Sequence, residues 1–316
     1  MSDLSSSSVP APDPVSLELA QKLMDFDPDG VLCARAIRKA LDLVYDGQHT
    51  GRFSIDQVTK TEAAHVGSLV EIYLRRALDG FLSDGVQMDF AIDGVDVDCK
   101  YSKHPFGWMI PREALGHFAV VVHADDRTSY WHLGFVRITE SILTQGKNRD
   151  LKRSITAKGR SAIAWCWQAN SLPENILLKL PQDVVDGIMG QPSGAKRVDE
   201  LFRRTLGRIV SRNVIATVAQ QEDYMKRVRY NGGSRSRLAP EGIIILGGDY
   251  LAHRKIAEDL NIVVPNHGEM VAIRLSSNCN PTTPHTAIIN NTHWCVASEN
   301  DLIESAPKVP NPSSRN

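Results

Sequence analysis

Apolar and polar residues follow two different periods along this chain, and the switch between them marks its elements. From Val15 to Phe26 and from Val31 to Val44, apolar positions recur every three or four residues, Ala36, Ile37, Ala40, Leu41 and Val44 among them, which predicts two helices. Tyr45 to Arg52, YDGQHTGR, breaks that rhythm. A third helix is predicted from Lys60 to about Leu82, entered through a capping box in which Glu62 stands three residues after Thr59. Glu71 lies inside it, on a stripe with Ala64, Gly67, Ser68, Leu74 and Leu78 whose small members permit close packing.

At Val86 to Ser102 the period falls to two. Met88, Phe90 and Ile92 alternate with polar or small residues, Val95, Val97 and Cys99 do the same, and Asp93-Gly94 between them is a strong hairpin signal. With those two residues as the loop, Ile92 pairs with Val95. Counting outward then sets Asp89 opposite Asp98, with Asp96 and Lys100 on the same face. Facing carboxylates with Cβ atoms roughly 5 Å apart repel one another. A divalent cation together with the lysine would remove that repulsion.

Beyond the hairpin, FGWMIPREALG predicts a turn into a short helix, and Phe118–His123 and Tyr130–Ile138 predict strands beside the hairpin. A helix is predicted from Pro181 to Met189, and GQPSGA at 190–195 is the expected flexible break. After it come three predicted helices with helix-turn-helix rhythm, RVDELFRRTLGRI, VIATVAQQE and DYMKRVRYNG, the last closed by Gly232-Gly233. A GGSRSRL loop, the apolar run Ile243–Leu246 and a helix from Asp249 to Leu260 complete the pattern. The expected class is α+β (mixed α/β). The expected layout is a disordered start at 1–14, a first domain at 15–170, a linker region at 171–195, a second domain at 196–304 and a disordered tail at 305–316.

At 316 residues the chain suffices for two domains with their own cores. Five cysteines without close paired spacing suggest neither a disulfide framework nor a zinc site, and no signal peptide or membrane-spanning run is visible, so a soluble protein of a reducing cytoplasm is expected. Net charge is −1, but it is unevenly spread. Lys196–Arg237 holds eleven Lys or Arg against four acids, a nucleic-acid footprint. Gly146–Arg160 is also basic, with Lys147, Arg149, Lys152, Arg153, Lys158 and Arg160 against Asp150, and reads either as a phosphate contact or as a solvated loop.

Asp89, then Asp98 and Lys100, resembles the metal-binding signature of the PD-(D/E)XK nucleases, with Met88 where that signature usually has proline. Asp89 and Asp98, with the backbone carbonyl of Cys99 and with Glu71 as a further ligand, offer the hard oxygens that Mg2+ prefers. Lys100 is suited to orient an attacking water or stabilise charge at a scissile phosphate. Asp96 is expected further out, Asp93 is expected to serve the turn, and His65 is expected to pack or cap rather than catalyse.

The strings YDGQHTGR, KTEAAHVGSLVEI, GVDVDCKYS, GWMIP, VDELFRR, IATVAQQEDYMKRVRYNGG and PEGIIILG, in order between about residues 25 and 275, closely resemble the NaeI family of type IIE restriction endonucleases. The resemblance implies a bacterial homodimer with an N-terminal restriction-endonuclease-like domain, its central mixed sheet flanked by helices, and a C-terminal CAP-like helix-turn-helix domain. It implies one DNA duplex per domain, the second acting as allosteric effector, and the palindrome GCCGGC as target, which suits a two-fold dimer. The family's catalytic positions carry over onto Glu71, Asp89, Asp98 and Lys100. The stretch around YDG also looks like the nucleotidyl-transfer motif of DNA ligases. Val44 stands where the nucleophilic lysine would be, so ligase or topoisomerase activity is not expected.

In the basic half, Lys226, Arg227 and Arg229 are the candidate phosphate or base contacts, with Gln220, Gln221 and Tyr224 as polar companions and Arg235 and Arg237 in the loop that follows. The competing reading of the whole chain is a helix-turn-helix regulator without nuclease activity, whose first half only dimerises.

Overall fold

The computed structural model describes residues 9–146, 150–279 and 285–310. Lys147 and Arg149 of the basic 146–160 stretch lie outside the described residues, as do 1–8 and 311–316 of the expected disordered ends. The chain divides into two compact units, one of Met1–Val44 and Val58–Glu174, the other of Tyr45–Gln57 and Asn175–Asn316.

Helices α1 (Pro14–Phe26) and α2 (Val31–Tyr45) open the described chain, the first capped by the Asp13 side chain with Pro14 at its start. Tyr45 ends α2, Asp46 turns left-handed, and one helical turn, α3 (Gly47–Thr50), follows before left-handed Gly51. Helix α4 (Lys60–Ala77) has the capping box formed by Thr59 and Glu62. It stops short of the expected Leu82, because Leu78 caps it and Gly80, at φ 84°, turns the chain away.

The first unit is built on a six-stranded sheet of β1 (Ser83–Asp84), β2 (Phe90–Ile92), β3 (Val95–Ser102), β4 (Phe118–Asp125), β5 (Tyr130–Arg137) and β6 (Ala164–Ser171), lying in chain order. Only β3 and β4 run parallel, so the sheet is mixed, and the crossover between them carries a 3₁₀ turn at Arg112–Ala114. Residues 119–124 of β4 are all buried, because both faces of the sheet are covered. Val120, Leu133 and Phe135 meet Leu23 of α1 and Leu74 and Leu78 of the α4 region. Ala119, Val121 and Val136 form a core with Trp108, Ile110 and Ile142 from the connecting segments.

The second unit contains α5 (Gln182–Met189), α6 (Gly194–Arg204), β7 (Ile209–Ser211), α7 (Arg212–Ala219), α8 (Ser234–Arg237), β8 (Ile243–Gly247), α9 (Leu251–Asp259), β9 (Glu269–Ser276), β10 (Ala287–Ile289) and β11 (Thr292–Val296). Strand β9 pairs antiparallel with β7, β8 and β11. Its sheet separates two cores: Ile243 and Ile245 pack with Val198, Phe202 and Ile215 of the helices, and Ile244 and Leu246 with Ile256, Leu260 and Trp294.

The units divide the chain differently from the expected layout. Residues 171–195, expected as a linker, contribute Ile176, Leu177 and Ile188 to the second core, and the GQPSGA break is a short connection ending at Ser193, the cap of α6. The YDGQHTGR segment joins the second unit because α3 packs on α7; a Cβ on Gly47 would come within 2.1 Å of the Thr217 hydroxyl. Within the described part of the tail, Ala306 and Val309 are buried in the core and the Ala306 amide donates to the Ala239 carbonyl.

Two further differences fall in the basic stretch. The DYMKRVRYNG segment forms only a 3₁₀ turn, Tyr224–Arg227, instead of a third helix. Left-handed Gln220 closes α7, and the chain then doubles back so tightly that a Cβ on Gly233 would approach the Arg229 carbonyl to 2.2 Å. The GGSRSRL segment, expected as a loop, includes the one-turn α8.

Candidate active site on the hairpin

Asp93 and Gly94 both take positive φ, 49° and 80°, and Ile92 pairs with Val95 across the two-residue loop. The ladder continues through Ala91 opposite Asp96 and Phe90 opposite Val97. Strand β2 begins at Phe90, so Asp89 sits one residue beyond the ladder, and its Oδ2 accepts from the Cys99 amide at 2.7 Å. The Asp89 carboxylate thus reaches across to β3 beside Asp98.

Asp98 is buried, with one oxygen committed and one free. Its Oδ1 accepts from Lys100 Nζ at 2.6 Å, and its Oδ2 is buried without a partner among the described residues. The Asp98 carboxyl is pushed up to about 6, by burial first and also by Asp89, with Lys100 opposing both. Lys100 Nζ also donates to the Cys99 carbonyl at 3.3 Å. Burial holds the Cys99 thiol protonated, which leaves its carbonyl as the oxygen it can offer.

Glu71 comes from α4, which packs against β3 where Gly67 faces Tyr101; a Cβ on that glycine would lie 4.0 Å from the Tyr101 Cβ. Its carboxyl is raised by partial burial and then by the Asp89 charge, while Arg75 and Lys100 lower it. Glu71, Asp89, Asp98 and Lys100 therefore share one electrostatic neighbourhood. Among the described residues, no three His, Cys, Asp or Glu side chains form a set that could hold a metal ion.

The other acids have different work. Asp96 accepts from the Val86 and Gln87 amides, both at 2.9 Å, which holds its carboxyl below the usual range and pins the loop before β2. Asp93 stays in the turn and pairs with Lys22 of α1 at 2.6 Å. His65 is exposed on α4, neither packed nor capping. Sequence reasoning missed Arg75, one turn after Glu71. It binds the Asp89 carbonyl and the Asp84 carboxylate and lies 5.0 Å over the Phe90 ring, fastening α4 to the segment that carries Asp89. Its place four residues from Glu71 was the available signal.

The eight candidate DNA contacts divide by what already holds them. Gln220, Lys226 and Arg229 are exposed, although Lys226 pairs with Asp223 at 3.0 Å. Tyr224 is partly buried and packs against the helical core. Arg227 is bound to Gln221 and Asp223, so those side chains brace one another. Arg237 makes hydrogen bonds of 2.6 and 2.8 Å to buried Asp199, which also accepts from Ser234, and Arg235 donates to the Ile245 carbonyl. In the 146–160 stretch, Arg153 bonds Glu140 and the Thr144 carbonyl, and Arg160 lies 4.0 Å over the Phe106 ring.

A mixed sheet thus carries Asp89, Asp98 and Lys100 on and beside its hairpin, and α4 brings Glu71 into the same electrostatic neighbourhood. A profile of the restriction endonuclease NaeI family matches residues 17–305. The chain is also 45% identical to the type II restriction enzyme NaeI of Lentzea aerocolonigenes over 303 residues, 92% of this chain and 93% of that one. The chain belongs to the NaeI restriction endonuclease family, and its enzyme class is that of a site-specific deoxyribonuclease. Among the described residues, no helix is long and apolar enough to cross a membrane.

Proposed function

We propose that the chain is a bacterial cytoplasmic type II restriction endonuclease that hydrolyses phosphodiester bonds of double-stranded DNA at the hairpin site with Mg2+. The observation that carries this reading is Asp98, whose buried Oδ2 lacks a partner while Oδ1 is held by Lys100. A buried carboxylate oxygen left unpartnered is costly, and a hard cation satisfies it. Asp98 and Asp89, with the Cys99 carbonyl, would hold the ion and Glu71 would reach it through a water; one or two carboxylates suffice for Mg2+, which retains much of its water. Bound there, it supplies charge stabilisation and a more acidic water. Lys100 keeps its ammonium at the Asp98 oxygen, where it can orient the attacking water and balance charge on the phosphate. Glu71, with its raised carboxyl, is suited to take up a proton from that water or to ligate through it.

The second unit is proposed as the effector-binding domain. Antiparallel pairing on β9 of β7, which lies between α6 and α7, and of β8, which follows them, supports a CAP-like arrangement, with exposed Gln220, Lys226 and Arg229 as its leading contacts. A homodimer with two duplexes and the target GCCGGC completes the proposal. Plasmid digestion by the purified protein in Mg2+, followed by sequencing of the ends, tests it. Ends falling within GCCGGC are expected. Binding without any cleavage would favour a helix-turn-helix regulator instead.

A further inference from the structure

The second unit also holds a cationic recess that the cleavage reading does not use. A cavity of about 530 Å³ is lined by Arg229, Tyr230, Arg235, Tyr250, His253 and Lys308 among others, and among the described residues no carboxylate lines it. An adjoining cavity of about 400 Å³ shares Arg229, Arg235 and Tyr250. It includes Asp249, but that carboxylate is already held by Arg212, by His267 Nδ1 at 2.7 Å and by the Gly268 amide at 2.9 Å.

Arg235 is the centre of this arrangement. Its Nε donates to the Ile245 carbonyl at 3.0 Å, whereas Nη2 is buried with no partner among the described residues. A guanidinium carries five donors, and a buried one without an anion bears an uncompensated desolvation cost. Burial accordingly draws its pKa down, against the opposing pull of Tyr250 and Asp249. His253 adds no positive charge, since its Nδ1 accepts from the Gly247 amide at 3.0 Å and burial keeps the ring neutral. Lys308 lies 4.9 Å over the Tyr230 ring, and Arg235 lies 5.9 Å over Tyr250. The volume falls within the roughly 300–1,000 Å³ typical of small-ligand sites, and the two tyrosines offer ring faces of the kind on which bases stack.

We propose that this recess binds a phosphate-bearing ligand of nucleotide size, with its phosphate on Arg229, Arg235 and Lys308 and its base against Tyr230 or Tyr250. The ligand is a free nucleotide, distinct from the effector duplex proposed for this unit. The site lies in the unit that does not carry the hairpin and is assayed without divalent ion, so its failure and a failure of the cleavage reading are separate results.

Calorimetric titration of the full chain with deoxyadenosine monophosphate, with deoxyadenosine, and with a short duplex lacking the palindrome tests the site. The mononucleotide should bind, the nucleoside should not, and Lys308→Ala should weaken mononucleotide binding about tenfold, the usual worth of one charged hydrogen bond. Arg229→Ala should do the same. Both residues are exposed, so these variants fold whether or not Arg235→Gln does. Binding of the duplex alone, without the mononucleotide, is the effector contact and overturns the proposal. It is also overturned if no phosphate-bearing probe binds, if the nucleoside binds as well as the nucleotide, or if Lys308→Ala and Arg229→Ala leave mononucleotide binding unchanged.

Discussion

Single residues show how similar side chains acquire different work from their surroundings. Asp93, Asp96 and Asp98 lie close together along one hairpin, yet one serves the turn, one pins a loop and one is buried with an oxygen that has no partner among the described residues. Arg237, a candidate DNA contact by charge, is committed to buried Asp199. Replacing it with Met should lower unfolding stability by about 2 kcal/mol or more, because the carboxylate loses its charged partner; urea melts of the two proteins measure this. His253 sets a pH dependence. Burial and Arg235 push it down to about 4, so between its ordinary value near 6.5 and 4 the unfolded chain takes up a proton that the fold refuses. Stability should therefore fall as pH drops through that window, and His253→Gln should flatten that part of the melting-temperature profile.

At the level of elements, much was legible and the reasons are local. The hairpin could be read because Asp-Gly fixes a turn whose two positive φ values define the register, and the alternation of Phe90, Ile92, Val95 and Val97 agrees with it. Helix α4 could be read from its capping box; Thr59→Ala should cost about 1 kcal/mol in thermal unfolding, the usual loss for such a cap. The third predicted helix of the basic stretch was not legible as a turn, since its periodicity is sound. What prevents the helix is non-local: Ser234 takes the Arg227 carbonyl and Asp199 takes the Ser234 hydroxyl, and neither partner is visible in a short window. The bracing of α4 by Arg75 was equally hidden, because it depends on where the Asp89 carbonyl lies in space.

For the whole molecule, the division into units was the least legible feature, because Gly47 and Ile176 join the second core through packing that composition does not announce. The assignment of a cutting unit and an effector unit predicts that a second, uncleavable duplex accelerates plasmid cleavage, where a simple enzyme would only be competed. The central claim is that the hairpin cuts DNA. Plasmid cleavage in Mg2+ by the Asp98→Ala variant, with duplex binding measured alongside, tests it most directly. The account predicts that cleavage is lost while binding persists; undiminished cleavage by that variant would contradict it.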